Sequence, residues 1–583
     1  MCHENLSYLS AVVTTAVFFI ACSYLFIQRA YPRPLAGIPY NHASAKRILG
    51  DTPEIAECTR KGGSLRTWFL DQAHRHNSAI TQVFLGPFSK AAVIVSDYRE
   101  ANDILSHRDV VDFKRGVKID AFRGILPHAF PAMESFDPDF RSSRNLARDL
   151  MTPSVLNAVN APRIYDVACH LLDFWRMKSR LSVGRPFDIS NDVGEFSFDA
   201  IVSAALGLGP RGGDTKHQHE QLAKHACENS STPSPNANPD ANLPISFPEA
   251  PRSAKLAALR IDEESLRQSF MVPWPWLYHL VNGLRPSVRA ARRILRGYIA
   301  SQIMKAVPGL RDGSQNPQCA LDYVIQRELR AAATAGRTPA LADPRILDPI
   351  YAYLIAGHDT STGSLLWLIR RLVIHPAEQD CVRESLRVTY PEAWRERRLP
   401  TVTELIKVHS PHLEAFIEET LRCDTPVANI MVVTRHDTVV LGHRIPRDTR
   451  VFLNLTGASL TRPSIPVADA DRRVTPRAHH AEARENWDAA APEEFRPERW
   501  LREGRGPMPL FDPAAGPALA FSAGNRGCWG KRLGYLELRI VLALLVWSFE
   551  FGISDKFTKW ETVDSLASAP KHCIITMREI SYE

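Results

Sequence analysis

The fold of this chain is decided by the stretch FSAGNRGCWG, from Phe521 to Gly530. It places one cysteine, Cys528, among three glycines and one arginine. Glycine has no side chain, so such a loop can approach a ligand closely and turn its backbone amides toward the sulfur. The ten cysteines of the chain include no CxxC pair and no close even spacing, which disfavours a disulfide scaffold and a zinc site. A lone thiolate ligand, in a reducing compartment, is the better interpretation.

A second informative stretch is the apolar segment Ile350 to Ile374. Hydrophobic residues on all sides predict a long buried helix. Within it lies AGHDTS, from Ala356 to Ser361, where Gly357 weakens a helix and needs a functional reason. Asp359 and Thr360 follow, and a carboxyl beside a hydroxyl can hold and steer protons.

Charged residues in two other motifs predict a buried network. The segment PHLEAFIEETLR places Glu419 and Arg422 three positions apart, on one face of a helix. Downstream, FRPERW contributes Arg499. Buried charges must be paired, so such a network fixes geometry more than it adds stability.

In this order along the chain, these motifs resemble those of the cytochrome P450 superfamily. The family's cysteine-loop pattern, FxxGxRxCxG, is matched at Phe521, Gly524, Arg526, Cys528 and Gly530. AGHDTS is similar to the family's A/G-G-x-D/E-T-T/S segment, and FRPERW to its FxPERF/W segment. A WxxxR motif is matched imperfectly by Phe140 and Arg144, because phenylalanine lacks the indole N–H donor.

The resemblance implies haem b as the cofactor, with its iron held by the Cys528 thiolate, whose charge assists O–O cleavage. Arg526 and Arg144 are then expected to contact the haem propionates, since a planar guanidinium suits a carboxylate. The remaining loop positions expected at the cofactor are Phe521, Gly524 and Gly530.

The resemblance also assigns roles on the central helix. Asp359 and Thr360 are the expected catalytic pair that relays protons, and Gly357 with Thr360 is expected to leave a local widening over the iron. His358 occupies a variable position and is interpreted as a packed side chain rather than a metal ligand. A structural network beneath the cysteine loop is expected from Glu419, Arg422 and Arg499.

With 583 residues, the chain exceeds the roughly 250–300 residues of an ordinary single core. The resemblance implies a mainly α fold: one large helical domain with a smaller β-rich region, over residues 41–583. The pattern predicts a strand at Ala91 to Val95 and a small hairpin within Val439 to Leu455. Residues 228–252 are rich in Pro, Asn and Ser and are predicted to be a disordered insertion.

The N-terminus is predicted to be a membrane anchor over residues 1–28. Ser7 to Ile27 carry no charge and, at about 1.5 Å per residue, can cross a hydrocarbon layer of about 30 Å. Arg29 and Arg33 follow the span, which favours a single-pass anchor with the catalytic domain on the cytoplasmic side of the endoplasmic reticulum. Residues 29–40, rich in proline, are expected to form a stiff hinge.

The resemblance implies a monooxygenase that inserts one atom of dioxygen into a hydrophobic small molecule, in the manner of microsomal fungal enzymes of secondary metabolism. No dinucleotide fingerprint is apparent, so electrons are expected from NADPH through a separate cytochrome P450 reductase. A net charge of +7 with dispersed basic residues does not suggest nucleic acid. The expected pocket segments are Val427 to Val433, Leu354 to Thr360 and Ala567 to Ala569.

Two alternatives stay open at this point. A haem-thiolate isomerase or dehydratase would keep Cys528 but often lack the acid and alcohol pair. A non-catalytic haem sensor or carrier would need no proton relay and would consume no NADPH.

Overall fold

The computed structural model describes residues 2–146, 148–207, 212–228, 243–472, 491–504, 508–553, 557–558, 561–564 and 566–581. The side chains of residues 2–13, 117, 146, 148–149 and 564 lie outside this description.

Helices dominate the described chain, as the mainly α prediction requires. They are α1 (Cys2–Ala30), α2 (His42–Ala45), α3 (Thr52–Arg60), α4 (Leu65–Arg75), α5 (Tyr98–Asp103), α6 (Val117–Arg123), α7 (Pro138–Leu146), α8 (Pro153–Val155), α9 (Ala161–Ser182), α10 (Ser190–Leu206), α11 (Asp214–Glu228), α12 (Ala254–Met271), α13 (Pro275–Asn282), α14 (Pro286–Arg311), α15 (Ala320–Thr334), α16 (Pro344–Ile374), α17 (Pro376–Thr389), α18 (Pro391–Arg395), α19 (Val402–Lys407), α20 (Pro411–Cys423) and α21 (Lys531–Ser548).

Strands form a smaller β-rich region. They are β1 (Ile80–Val83), β2 (Ala92–Val95), β3 (Phe113–Lys114), β4 (Phe187–Asp188), β5 (Asn429–Thr434), β6 (Thr438–Val440), β7 (His443–Ile445), β8 (Arg450–Asn454), β9 (Leu501–Arg502), β10 (Leu510–Phe511), β11 (Phe549–Gly552), β12 (Thr562–Asp564), β13 (Ser568–Pro570) and β14 (Ile574–Glu579).

The main sheet has the strand order β1-β2-β8-β5-β3, with β2 and β8 parallel and the other pairs antiparallel. A second sheet has the order β11-β14-β4. The hairpin predicted within Val439 to Leu455 is β6–β7, whereas β8 belongs to the main sheet. The sheet and the helices have separate apolar cores, so the helical domain with a β-rich region is confirmed.

The long helix α16 lies at the centre of the helical core. The Asp343 side chain accepts the backbone N–H of Arg345 at 2.8 Å, and Pro344 begins the helix with a suitable fixed φ. It ends at Ile374, because Pro376 disfavours helical conformation at His375. Most of its residues are buried, as predicted for Ile350 to Ile374.

The N-terminal segment forms α1, which contains the predicted span Ser7 to Ile27. Some of that span's side chains lie outside the described part of the chain. Within the part that is described, no helix has both the length and the apolar character needed to cross a membrane. The anchor predicted for residues 1–28 is therefore not shown. The predicted hinge begins inside α1 and then packs on β1, where the Gln82 side chain accepts Leu35 N and donates to Ile38 O, at 2.7 and 2.6 Å.

The predicted insertion at 228–252 is only partly described. Glu228 ends α11, and residues 229–242 lie outside the described residues. Residues 243–252 are held against the domain: Ile245 N donates to Pro186 O at 2.8 Å, and the Gln218 amide bonds to both Ala250 N and Ala250 O. The prediction of disorder does not hold for residues 243–252, because these hydrogen bonds and the packing of Ile245 against the core offset the entropy of ordering.

Candidate active site

The Cys528 loop is closed by its own backbone. Cys528 N donates to Phe521 O at 2.8 Å, and Gly527 N donates to Gly524 O at 3.0 Å. The backbone amide of Gly530 bonds to the Cys528 sulfur and favours its thiolate form. Helix α21 begins directly afterwards, at Lys531. The loop therefore presents a sulfur whose charge is moderated by an amide, which suits a thiolate ligand.

Cys528 lies in an open space within the protein. Its side chain is exposed, yet burial among surrounding protein atoms raises the pKa of its thiol. The Gly530 amide and the charges of Lys531 and Arg144 oppose that rise. A thiol that is both accessible and desolvated is available to a ligand that enters the space, and a bound cation would favour its deprotonation.

Two glycines of the loop have different reasons to be there. Gly524 has a φ of +67°, and a Cβ atom would lie 2.1 Å from the carbonyl oxygen of Leu105. The turn Gly524–Arg526 thus packs against the helical turn Ile104–Arg108, which only glycine allows. At Gly530, φ is −80° and a Cβ atom would lie 3.9 Å from the Cys528 sulfur. Its backbone therefore does not require glycine.

Arg526 connects the loop to residues 130–135. Its guanidinium donates to Ser135 Oγ at 2.7 Å, to Phe130 O at 3.1 Å and to Met133 O. It also lies 4.0 Å from the centroid of the Phe140 ring. Burial lowers the pKa of Arg526 to about 10. Within the described part of the chain, three of its five N–H donors are in use, so two remain for an acidic ligand.

The Phe140 and Arg144 prediction has a mixed outcome. Arg144 donates to Asn525 O in the cysteine loop, so the structure places it beside the site. Phe140 is buried and forms the aromatic face on which Arg526 lies. Phe140 therefore supports Arg526 through its aromatic ring. The sequence comparison, which considered only the missing indole N–H donor, did not predict this role.

Arg115 is a candidate site residue that the sequence did not reveal. It is 9% exposed, and among the described residues its Nε and Nη2 atoms have no hydrogen-bond partner. Its charge is felt by Arg526, and Asp109 and Glu134 lie near it. Unpaired buried guanidinium nitrogens are unfavourable, and an anionic group would satisfy them. The residues present therefore fit a ligand with an accessible metal ion and carboxylate groups, as haem has.

The Glu419 carboxylate is the centre of the predicted network. Arg422 donates to it through Nε and Nη2, both at 2.8 Å, and both side chains are fully buried. Arg499 Nε lies 3.2 Å from Glu419 Oε1. The structure thus brings together Glu419, Arg422 and Arg499. Trp500, which sequence reasoning missed, donates its indole N–H to Glu419 at 2.8 Å.

The turn Ala356–Ser361 of α16 directs its residues to different neighbours. Helix α16 continues through this turn. A Cβ atom on Gly357 would lie 2.3 Å from Ile201 Cδ1 on α10. The predicted widening at Gly357 is therefore wrong, because this glycine allows α10 and α16 to pack closely. Ala356 is exposed, whereas its neighbour Ile355 is buried.

Asp359 and Thr360 have separate hydrogen-bond partners. The Asp359 carboxylate accepts the backbone N–H of Ala567 at 2.6 Å. Thr360 Oγ1 donates to Ala356 O, also at 2.6 Å. Ser568 N donates to Pro426 O at 2.8 Å, so the segment Ala567–Ala569 also contacts the residue directly before the predicted pocket segment Val427 to Val433. The bond between Asp359 and Ala567 therefore joins two of the three predicted pocket segments.

The comparisons with known proteins agree with this geometry. The family model for Cytochrome P450 matches residues 65–461 and 480–577. "Cytochrome P450 monooxygenase TRI13" of Fusarium sporotrichioides is 30% identical over 96% of this chain and 97% of that protein. "Cytochrome P450 monooxygenase xilC" of Penicillium rubens is 31% identical over 90% of this chain and 89% of that protein.

The fold also has a solved counterpart. A crystal structure of the cytochrome P450 CYP102L1 aligns with a TM-score of 0.63 and 18% identity, over 94% of this chain and 99% of that one. Neither the isomerase or dehydratase alternative nor the sensor alternative gains support, since the relatives above are named as monooxygenases.

Proposed function

This chain belongs to the cytochrome P450 family and is a monooxygenase, and from that premise we propose an oxidative tailoring step in fungal secondary metabolism as its function. The observation that best supports this function is at Cys528. Its sulfur is accessible and has an amide donor, and it lies in a loop matched by the family model. The name of one relative, "Hps1-dma1 cluster cytochrome P450 monooxygenase cyp3.1" of Dothistroma septosporum, supports a role in a gene cluster; it is 35% identical over 44% of this chain and 86% of that protein.

The haem, when bound, supplies dioxygen activation. Cys528 would hold its iron, and Arg526, Arg144 and Arg115 would hold its carboxylates. The Glu419 network keeps Arg422 and Arg499 fixed beside the segment that leads to the loop.

We assign proton transfer to Asp359 and Thr360. The Ala567 amide donates to the Asp359 carboxylate and holds it in place, and a carboxyl group can both accept and release a proton. The Thr360 hydroxyl both donates and accepts, so it can pass that proton into the open space.

Thr360→Val keeps the shape of the side chain without the hydroxyl. We expect less product per NADPH consumed and more hydrogen peroxide, whereas unchanged coupling would contradict the assignment.

The substrate class we propose is a hydrophobic small molecule. The predicted pocket segments are largely apolar, with Val427, Val433, Ala567 and Ala569 among their residues. We propose an NADPH–cytochrome P450 reductase as the electron donor, because the sequence has no dinucleotide fingerprint of its own.

We also propose contact with the endoplasmic reticulum membrane from its cytoplasmic side. Trp274 on the protein surface is 64% exposed, and Trp276, Leu280 and Leu284 are similarly exposed around α13. Tryptophan favours membrane interfaces, and an apolar patch of this kind marks an interaction surface. Helix α1 also has exposed apolar side chains that can contact a membrane: Val17, Phe18, Phe19, Ile20, Tyr24, Leu25, Phe26 and Ile27.

Liposome sedimentation tests the membrane proposal. Full-length protein is expected to sediment with neutral and anionic vesicles, and removal of residues 1–30 to weaken the binding strongly. Trp274→Ala with Trp276→Ala should weaken it further in that shortened chain. Full-length protein that stays in the supernatant would contradict the proposal.

The difference spectrum of the reduced, carbon monoxide-bound protein tests the central assignment. The wild type is expected to show the red-shifted Soret band of a thiolate-ligated haem, and Cys528→Ala to lose it. Cys381→Ala, which changes another exposed cysteine, is the matched control and should keep the band. Folded wild-type protein that binds no haem, or shows a histidine-ligated spectrum, would overturn the assignment.

A further inference from the structure

His358 precedes Asp359 in the chain but points to another side of α16. Its Nδ1 atom lies 2.8 Å from Glu263 Oε1 on α12, and its Nε2 atom lies 3.2 Å from Gly194 O on α10. His358 is 3% exposed and Glu263 is 6% exposed. One histidine therefore joins three helices directly behind the residue assigned to proton transfer.

The partners of His358 fix the number of protons it shares. A backbone carbonyl oxygen can only accept, so Nε2 must carry a proton. The short contact between Nδ1 and the Glu263 carboxyl requires a second proton between those two atoms. The pair therefore holds one proton more than a neutral histidine beside an ionised glutamate.

The charges around His358 favour the imidazolium form. Burial alone would lower the pKa of His358, but the hydrogen bond and charge of Glu263 raise it, and the charge of Asp359 raises it further. Arg260, also on α12, opposes this. From α21, Glu537 also interacts with the charge of His358. A positive charge is thus kept beside the Asp359 carboxylate.

The His358–Glu263 pair is not needed to hold α12 and α16 together. Tyr351 Oη already donates to Asp262, which joins α16 to α12 about two helical turns before His358. A buried ion pair adds little stability in comparison with apolar side chains of similar volume. The distinguishing feature of the His358 pair is its position next to Asp359.

We propose that His358, held by Glu263, is a positioning residue for Asp359 and Thr360. The pair fixes the rotation of this turn of α16 and places a positive charge behind the Asp359 carboxylate. The proposal rests on the monooxygenase function, because it acts on the proton-transfer pair of that reaction.

The test uses the C–O stretching band of the reduced, carbon monoxide-bound holoenzyme. This infrared band reports the electric field and hydrogen bonding around the bound carbon monoxide without any turnover. It is recorded as a function of pH for wild type, Glu263→Gln and His358→Gln. Tyr351→Phe is the matched control, since it removes the neighbouring contact between the same two helices.

We expect a wild-type band that stays constant through pH 6.5, the ordinary pKa of histidine. Glu263→Gln should make the band depend on pH, because the charge of Asp359 is then the main charge that opposes the lowering of the His358 pKa by burial. His358→Gln should shift the band and remove any pH dependence, and Tyr351→Phe should leave it as in wild type. Thermal unfolding of each holoenzyme shows whether a shift reflects general loosening.

Two outcomes would overturn the proposal. One is a Tyr351→Phe shift equal to that of the two pair variants, or no shift in any of them. The other is a wild-type transition near pH 6.5, which decides the matter even if the pair variants fail to fold. If wild-type protein lacks the red-shifted Soret band, the monooxygenase assignment itself fails, and that result is distinct from both.

Discussion

The cysteine loop and the turn Ala356–Ser361 of α16 are both sequence motifs, but they are built differently. In the loop, Phe521, Cys528 and Gly530 contact one another: Cys528 N bonds to Phe521 O, and the Gly530 amide bonds to the sulfur. In the helical turn, consecutive residues contact four separate parts of the protein. Gly357 packs on α10, and His358 bonds to α12.

The geometry of the backbone explains this difference. A loop can fold on itself, so residues several positions apart in its motif can contact one another. An α-helix has about 3.6 residues per turn, so successive side chains point about 100° apart. Side chains that are adjacent in the sequence therefore point in different directions. Each residue of a helical motif therefore has its own contact, and a substitution can remove one contact without the others. The predictions below separate these two kinds of motif.

The largest effect is expected at the buried Glu419 network. Glu419→Ala leaves Arg422, Arg499 and the Trp500 indole without their buried acceptor. Loss of one partner from a buried charge network typically costs roughly 3–5 kcal/mol. We expect a large fall in the thermal unfolding midpoint and in haem content.

Glu396→Ala is the control for that variant. It removes an exposed carboxylate that pairs with Arg398 at the surface, where solvent screens the interaction. Its unfolding midpoint should stay close to that of wild type. Equal midpoints for the two variants would show that the Glu419 network does not support the fold.

A smaller effect is expected at one glycine of the loop. In Gly524→Ala, a side chain would have to adopt a positive φ and approach Leu105 O, an atom of the backbone that cannot rotate away. Strained backbone conformations cost about 1–3 kcal/mol, and the collision adds to that. Gly530→Ala, with ordinary φ and open space, should change the midpoint little. A comparable loss in both variants, measured by thermal unfolding, would contradict the distinction.

The sequence could predict what lies within a motif. The cysteine loop, the Glu419 pair and the extent of α16 depend on neighbours in the chain, so spacing and hydrophobic pattern were sufficient. Arg115 and His358 were different, because their partners come from distant segments. Glu134 and Asp109 flank Arg115 only after folding, and no periodicity links His358 to Glu263.

Gly357 also shows a limit of prediction from sequence. Its position in the motif was predicted, but its reason was not, since the neighbour that needs the space is Ile201 on α10. A glycine within a buried helix can serve packing or a ligand, and the sequence alone does not distinguish the two. Only the tertiary structure supplies the opposing side chain.

Gly357→Ala tests whether this glycine is needed for the packing of α16 against α10. The added methyl group would overlap Ile201, and overpacking of this kind typically costs about 1–3 kcal/mol, less where a side chain can move aside. We expect a lower unfolding midpoint, and Ile201→Val in the same chain should restore part of it. If the original widening were real, Gly357→Ala would instead impair carbon monoxide binding at an unchanged midpoint, and Ile201→Val would give no rescue.

The smallest effect is expected at Phe140, which supports Arg526 through its ring alone. Phe140→Leu keeps most of the buried apolar volume but removes the aromatic face below the guanidinium. Such cation–π contacts contribute about 0.5–2 kcal/mol, the higher values where water is excluded. Phe140→Trp restores the face and should recover the midpoint of thermal unfolding. If leucine and tryptophan behave alike, Phe140 contributes volume only, and the hydrogen bonds to residues 130–135 are sufficient to hold Arg526.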